Sequence, residues 1–290
     1  MTTSPALSNP QQQDAQPREL TLSERIGATN PDGTVKYLNA MFFGEPGAGK
    51  TYLFGTVQDD PDNWLPALLL DIDGGTDTIR NRTKIEISPP IRSLAKLTEI
   101  YKQIAAEPDY YKSICIDNVS ELQKIDMNEV MLEAKATANN PDNVDIYVPS
   151  QREWGKSNER MRIIIRGLRD LPCHTIMLAH SDDREDKSTK INRLWPQLPG
   201  QLRTGASGFF SIAGYISVYE ENGVPHRQIQ FAKTRRVAAK DRFQVLPDVM
   251  NNDPTLPQIW KMIRDSGAKL IPQDALQDED ALSALKAATS

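Results

Sequence analysis

The sequence of 290 residues is poor in metal-binding and disulfide-forming side chains, with two cysteines, three histidines and no Cys-x-x-Cys motif. This composition does not indicate a structural zinc site. Cys115 and Cys173 lie in or beside apolar, strand-like runs. We therefore expect both to be buried thiols of a protein in a reducing cytoplasm.

Long apolar runs are also missing. No stretch approaches the roughly 18–20 residues that a membrane-spanning helix requires, and the first residues lack the basic start and apolar segment of a secretory signal. We therefore predict a cytoplasmic protein that does not bind membranes. The net charge of −5 gives no general attraction to nucleic acids, although it is compatible with local basic patches.

Composition changes along the chain predict three segments. Residues 1–20 are rich in Pro, Gln and Ser without an apolar period, which is typical of a disordered tail. Residues 266–290 are predicted to form a second, acidic tail. Its acids are Asp274, Asp278, Glu279 and Asp280. Residues 21–265 between the tails are predicted to form one core domain.

Within this core, apolar strand-like runs alternate with amphipathic helical patterns. The main runs are 35–43, 67–72, 113–117 and 174–180. This βαβα rhythm predicts an α/β fold with a mainly parallel central sheet flanked by helices. Further along, Asn222-Gly223 separates two strand-like runs, and this dipeptide is a strong signal for a β-hairpin. We therefore expect an antiparallel hairpin at the edge of the sheet.

The segment "GEPGAGKT" satisfies the complete phosphate-loop motif G-x-x-x-x-G-K-[ST]. Its glycines allow backbone N–H groups to point at phosphate oxygens, and the helix that follows adds the positive end of its dipole. Lys50 is predicted to reach the β- and γ-phosphates of ATP, and the Thr51 hydroxyl to bind Mg²⁺. The predicted nucleotide contacts are Gly44, Glu45, Pro46, Gly47, Ala48, Gly49, Lys50, Thr51, Tyr52 and His180.

A phosphate-loop ATPase also needs an acidic residue near the metal, at the end of an apolar strand. Asp117, the last residue of "SICID", has this position and is predicted to be a magnesium ligand together with Thr51. The alternative is that Asp117 caps the helix that follows, because aspartate is a common N-cap residue.

The residue that orients the attacking water depends on the class of ATPase. Asn118 occupies the position where AAA+ ATPases usually carry a glutamate. The segment "LLLDIDGG" resembles the strand end that carries this acid in RecA-type recombinases, with Asp73 where that family has glutamate. Because aspartate is one methylene shorter than glutamate, Asp71 or Asp77 are alternative candidates for the residue that orients the water. A further alternative is that Asp73 only forms a turn and has no catalytic role.

Two segments contain the basic and aromatic side chains of a single-strand-binding surface. His180 ends the strand "HTIMLAH", where RecA-like proteins place a polar residue that senses the γ-phosphate and signals to a DNA-binding loop. We predict a long loop over 181–210 directly after it, and a second loop over 139–158. The predicted DNA contacts are Lys190, Arg193, Trp195 and Arg203 in the first loop and Arg152, Trp154 and Lys156 in the second. The alternative for each loop is a surface loop that does not contact DNA.

The segment "AAKDRF" contains two cations, Lys240 and Arg242. Taken alone, they are two solvated charges. The segment resembles the Lys-Asn-Arg segment of DnaB-type helicases and RadA-like proteins, although Gln244 stands where a glycine is frequent. That resemblance implies that the pair reaches a nucleotide held by the neighbouring subunit, where an arginine stabilises the charge of phosphoryl transfer.

The order of these motifs resembles that of phage-encoded RecA-like ATPases related to the Sak-type single-strand annealing recombinases. The resemblance implies a RecA-like core, ATP and Mg²⁺ at subunit interfaces, single-stranded DNA as a partner, and a ring or helical homo-oligomer. It also implies a role in phage recombination in the bacterial host cytoplasm, beside a single-strand binding protein. Two alternatives remain open: a helicase or helicase loader, and a nucleotide-gated assembly protein with little hydrolysis.

Overall fold

The computed structural model describes residues 21–25, 36–185 and 190–267. The chain divides into two compact units, Met1–Asp32 and Gly33–Ser290. The first contains one short described helix, α1 (Leu22–Arg25). The predicted tail over 1–20 and residues 268–290 of the predicted tail over 266–290 lie outside the described residues.

The elements of the second unit alternate much as predicted. Its first half contains β1 (Asn39–Gly44), α2 (Lys50–Gly55), α3 (Pro61–Trp64), β2 (Ala67–Asp71), β3 (Ile85–Ile87), α4 (Leu94–Ala106) and β4 (Ser113–Asp117). Its second half contains α5 (Val119–Thr137), α6 (Gln151–Arg169), β5 (His174–Glu185), β6 (Asn192–Pro196), α7 (Gly200–Phe209), β7 (Ile212–Glu221), β8 (Val224–Gln230), β9 (Lys240–Asp241), β10 (Val249–Met250) and α8 (Leu256–Asp265). Short 3-10 turns cover Thr56–Asp59, Thr76–Ile79 and Pro141–Asn143.

The described strands form one sheet with the order β10-β8-β7-β1-β5-β4-β2-β3. The neighbours from β7 to β3 are all parallel. Strands β8, β10, β6 and β9 pair in the antiparallel sense. The predicted fold class, a mainly parallel α/β sheet with an antiparallel edge, is confirmed.

The sheet is buried on both faces, which explains why its central strands are continuous apolar runs. Along β1, Met41 and Phe43 belong to the core on one face, whereas Ala40 and Phe42 belong to the core on the other. Helices α4, α5 and α6 cover the first face, and α2 and α8 cover the second. The parallel strands all end at the same edge of this sheet.

The hairpin between β7 and β8 has the predicted turn. Asn222 and Gly223 both have positive φ, at 52° and 78°, as the two-residue turn that matches the twist of the strands requires. Both cysteines are buried and free, as predicted. No helix among the described residues is long and apolar enough to cross a membrane.

The first of the two predicted long loops, over 181–210, is wrong. After His180, β5 continues to Glu185 and pairs with β6, and helix α7 follows. The paired segments form a β5–β6 hairpin, Ser181–Glu185 with Asn192–Pro196. Its strands are rich in charged side chains, so they lack the apolar alternation that identifies a half-buried strand.

The second loop is shorter than predicted because α6 already begins at Gln151. Arg152, Trp154 and Lys156 therefore lie on the first turns of a helix. Ser150 and Glu153 form a capping box at its start, a pattern that is visible in the sequence as S-x-x-E.

Candidate nucleotide-binding site

The phosphate loop, residues 44–51, connects the carboxyl end of β1 to the start of α2. Gly47 and Gly49 have φ values of 80° and 91°, in the left-handed region that only glycine adopts without strain. Gly49 is the residue directly before the helix. The loop therefore curls as the motif predicts, at the end of a strand and the N-terminus of a helix, where anions bind.

Lys50 is buried at the centre of this loop. Its Nζ donates hydrogen bonds to the carbonyl oxygens of Gly44 at 3.1 Å and Glu45 at 2.9 Å. Burial lowers the pKa of Lys50, while the negative charges of Asp117 and Asp73 oppose that shift. The ammonium group is thus held at the loop by two backbone carbonyls, and the charges of two nearby carboxylates favour its protonated form.

The carboxyl end of β4 places Asp117 beside the phosphate loop. The Thr51 hydroxyl donates a 2.6 Å hydrogen bond to Oδ2 of Asp117, which is only 3% exposed. Burial raises the pKa of Asp117, and the hydrogen bond from Thr51 opposes that rise. The alternative role as helix cap is wrong, because Asn118 is the N-cap of α5 and accepts the N–H of Glu121.

Thr51 and Asp117 fit a magnesium ion. Mg²⁺ prefers hard oxygen ligands and is usually held by one or two protein groups together with substrate phosphates. The hydroxyl and the carboxylate supply two such oxygens 2.6 Å apart, beside a loop of the kind whose amides bind phosphate. The ion would screen the negative charge of a triphosphate at this end of the site.

The next strand end brings Asp73 to the same edge of the sheet. The backbone N–H groups of Ile72 and Asp73 donate to the carbonyl of Asp117, which ties the end of β2 to the end of β4. Asp71 is buried, and its Oδ1 accepts the N–H of Gly74. Asp71 therefore shapes the turn, and Asp73 is the exposed carboxylate that faces the site.

Asn118 links Asp73 to His180. Its Nδ2 lies 2.8 Å from Oδ2 of Asp73 and 3.2 Å from Nε2 of His180. Burial and the positive charge of Lys50 lower the pKa of His180, so this imidazole is neutral at neutral pH. Nε2 of His180 is also 3.8 Å from Glu121. A polar network of three strand ends therefore lies opposite the phosphate loop.

A model of the AAA domain family matches residues 36–243. The chain belongs to the AAA domain family. It is therefore an ATPase domain of the AAA kind. Among solved structures, a KaiC-like protein from the hyperthermophilic archaeon Pyrococcus horikoshii OT3 is similar, with a TM-score of 0.35 and 14% identity, over 79% of this chain and 94% of that chain. No curated protein matches the chain.

The AAA domain thus brings together Lys50, Thr51, Asp73, Asp117 and His180, as the strand-end argument predicts. Two further members of the site were missed as functional residues. Asn118 directly follows Asp117 in the sequence, and Glu121 is three residues further on. Oxygen and nitrogen atoms of Asp73, Glu121 and His180 all lie within 4.8 Å of one another, so these three side chains could also hold a cation.

Lys240 and Arg242 lie elsewhere in the AAA domain. Strand β9 pairs with the start of β7, with Lys240 opposite Ala213, whereas the phosphate loop begins level with Ile216. Three residues of strand correspond to about 10 Å, and two strand spacings separate β9 from β1. These cations therefore do not reach the phosphate loop of their own subunit.

The two cations nevertheless lie close to each other. Burial and the positive charge of Arg242 lower the pKa of Lys240 to about 8. Asp241 between them accepts three backbone N–H groups, those of Phe243, Val245 and Leu246. This carboxylate fixes the segment that carries the pair. The role in a neighbouring subunit stays a prediction.

The predicted DNA contacts are distributed over two surfaces, and several are paired within the chain. Lys156 forms an ion pair with Glu133, and Lys190 with Glu185. Arg203 is half-buried and donates to the carbonyl of Leu198. The remaining contacts are Arg152 and the partly exposed Trp154 on α6, and Arg193 and Trp195 on the β5–β6 hairpin.

Proposed function

We propose that the chain binds ATP with Mg²⁺ and hydrolyses it. The observation that carries this proposal is the convergence of Lys50, Thr51 and Asp117 at the carboxyl ends of β1 and β4. In this proposal, loop amides and Lys50 neutralise the β- and γ-phosphates, and Thr51 and Asp117 hold the metal. Electrostatic stabilisation of this kind provides most of the rate in phosphoryl transfer.

Asp73 is the residue proposed to orient the attacking water. Its carboxylate is exposed at the site, and one of its oxygens is fixed by Asn118. A neutral His180 on the other side of Asn118 can donate or accept a hydrogen bond as the γ-phosphate arrives and leaves. The Asn118 amide would therefore respond to both the water-orienting acid and the sensor.

The ATP-binding proposal is tested by replacing the ammonium group at the loop. Lys50→Ala is expected to weaken ATP affinity at least about tenfold, measured by calorimetry, because the charge-assisted contacts to phosphate are lost. Lys102→Ala removes an exposed lysine of α4 and serves as the charge-matched control. Equal ATP affinity of Lys50→Ala and the wild type would refute the proposal.

A second proposal, that the ATPase acts on single-stranded DNA, is favoured by the continuity of β5. This strand passes without interruption from His180 into the β5–β6 hairpin, where the Arg193 guanidinium lies 4.8 Å from the centre of the Trp195 ring. A shift at His180 would therefore move an aromatic and a cation that can stack on bases. In this proposal the chain acts as an oligomeric recombinase or annealing protein, with a single-strand binding protein as a further partner.

The two tryptophans distinguish the two candidate DNA surfaces. Trp195→Ala is expected to weaken binding of an oligothymidylate, in the presence of a non-hydrolysable ATP analogue, by about tenfold, because one stacking contact is worth about 1–3 kcal/mol. Trp154→Ala on α6 is the matched control. If only Trp154→Ala weakens oligothymidylate binding, the DNA-binding surface lies on α6 and not on the β5–β6 hairpin.

Two further assays of the wild-type protein distinguish the remaining alternatives, a helicase and a nucleotide-gated assembly protein. Displacement of a paired strand would identify a helicase, which the DNA-binding measurement alone does not detect. Turnover that is low and unchanged by single-stranded DNA, together with nucleotide-dependent assembly, would identify a nucleotide-gated assembly protein instead of a recombinase or annealing protein.

A further inference from the structure

Arg227 of β8 lies directly against the phosphate loop, on the side away from Asp117. A Cβ added at Gly49 would be 2.2 Å from Nε of Arg227 and 2.6 Å from its Cδ. The guanidinium carbon lies 4.2 Å from the centre of the Tyr52 ring. The Arg227 side chain therefore contacts both the last glycine before Lys50 and the residue directly after Thr51.

Asp253 holds Arg227 in this position. Its Oδ1 accepts a 3.0 Å hydrogen bond from NH1 of Arg227 and a 3.1 Å hydrogen bond from the Arg227 backbone N–H. Its Oδ2 lies 2.9 Å from Nδ1 of His226, and its own N–H donates back to the carbonyl of Arg227. Asp253 thus fixes the Arg227 backbone through two hydrogen bonds and its guanidinium through one before any ligand arrives, and such preorganisation reduces the entropy cost of association.

The loop covers the guanidinium only in part. Among the described residues, Nε of Arg227 is buried against Gly49 and has no hydrogen-bond partner, whereas the side chain as a whole is 35% exposed. A planar guanidinium can also present its face to a base or an aromatic ring.

The strand order decides which end of a nucleotide Arg227 would meet. Asp117 and His180 lie on β4 and β5, on one side of the phosphate-loop strand β1, whereas β8 lies on the other side. With the metal and the γ-phosphate at Asp117, a nucleotide that crosses the loop has its nucleoside toward β8. We infer that Arg227, held by Asp253 against Tyr52, binds the nucleoside end of the nucleotide. This inference rests on the proposed ATP binding.

The inference is tested by comparing ligands that have or lack a nucleoside. Affinities for ADP and for inorganic tripolyphosphate are measured by displacement of a fluorescent ATP analogue. Arg227→Ala is expected to weaken ADP binding about tenfold and tripolyphosphate binding by less than about twofold. Arg227→Lys, which keeps the charge but not the planar group, is expected to show the same selective loss. Arg162→Ala, at an exposed arginine of α6, is the control.

The outcomes separate this inference from the proposed function. If the wild type binds neither the fluorescent ATP analogue nor ADP, ATP binding itself is refuted. If the wild type binds both, unchanged ADP affinity in Arg227→Ala overturns only the inference. An equal loss for ADP and tripolyphosphate also overturns it, because that result assigns Arg227 to the support of the loop and not to the nucleoside.

Discussion

Asp73 is exposed, whereas Asp117, Lys50 and Asn118 around it are buried. A buried carboxylate such as Asp117 suits a metal ligand, because the ion offsets the cost of its charge. An exposed carboxylate such as Asp73 suits contact with water. The difference in burial therefore supports different roles for the two acids, in agreement with their positions at adjacent strand ends.

Hydrolysis is predicted to depend on Asp73 more than ATP binding does. Asp73→Asn keeps the size of the side chain but removes its charge, and we expect single-turnover hydrolysis to fall about 100-fold or more with little change in ATP affinity. Asp73→Glu is the matched variant that keeps the charge. Retention of wild-type hydrolysis by Asp73→Asn would instead assign water orientation to another group, such as Glu121.

At the scale of the elements, His174 at the start of β5 contacts three other segments of the chain, through Leu38, Trp64 and Trp260. Its Nδ1 accepts the N–H of Leu38 at 2.9 Å. The Trp64 ring stacks on it with centroids 4.3 Å apart, and the Trp260 ring meets it edge-on at 4.7 Å. Burial lowers the pKa of His174 to about 4, although the charge of Asp60 opposes this shift.

Because the pKa of His174 is lowered, we predict that the protein is less stable in mild acid than at neutral pH. The unfolded chain protonates its histidines near pH 6.5, whereas folded His174 resists protonation down to about pH 4. Between these values the unfolded state binds more protons, so the free energy of unfolding falls as the pH is lowered, by up to about 3 kcal/mol. Thermal unfolding at pH 7 and pH 5 measures the part of this fall that develops above pH 5, about 2 kcal/mol.

The control is a side chain that accepts the same hydrogen bond without titrating. His174→Asn is expected to be less stable at pH 7, because it loses the ring contacts with Trp64 and Trp260. It is also expected to show a smaller fall in melting temperature between pH 7 and pH 5. An identical fall in both proteins would show that other groups, such as carboxylates, dominate the acid response.

At the scale of the whole molecule, the location of Lys240 and Arg242 bears on assembly. Both are half-buried, and register places them level with the start of β7, away from the phosphate loop. Arg242 also donates to the carbonyl of Gly208 at 3.4 Å. If these cations act on a nucleotide, that nucleotide belongs to another copy of the chain.

Mixing two inactive variants tests this directly. Lys50→Ala and Arg242→Ala are each expected to lose hydrolysis alone. An equimolar mixture should recover up to about one quarter of wild-type turnover, because that fraction of interfaces combines an intact loop with an intact arginine. Lys50→Ala mixed with Asp117→Asn provides a comparison in which both losses affect the same loop site, so the intact arginine of either variant should meet only defective sites. No recovery in the first mixture would contradict a role in a neighbouring subunit.

The sequence alone was sufficient for features that depend on neighbouring residues. The phosphate loop, the strand and helix alternation and the Asn222-Gly223 turn follow from backbone conformation and from the period of apolar side chains. The β5–β6 hairpin reads as a loop in the sequence because its charged strands have no apolar period. The S-x-x-E capping box at Ser150 does indicate the start of α6, within the predicted loop over 139–158.

Only the tertiary structure decided which distant residues meet. Asn118 contacts Asp73 and His180 across sequence separations of 45 and 62 residues, and Arg227 meets Gly49 because β8 lies two strands from β1. Such contacts depend on strand order and register, which local periodicity does not encode. The chemistry of each side chain can be read from the sequence, whereas the sheet determines its neighbours.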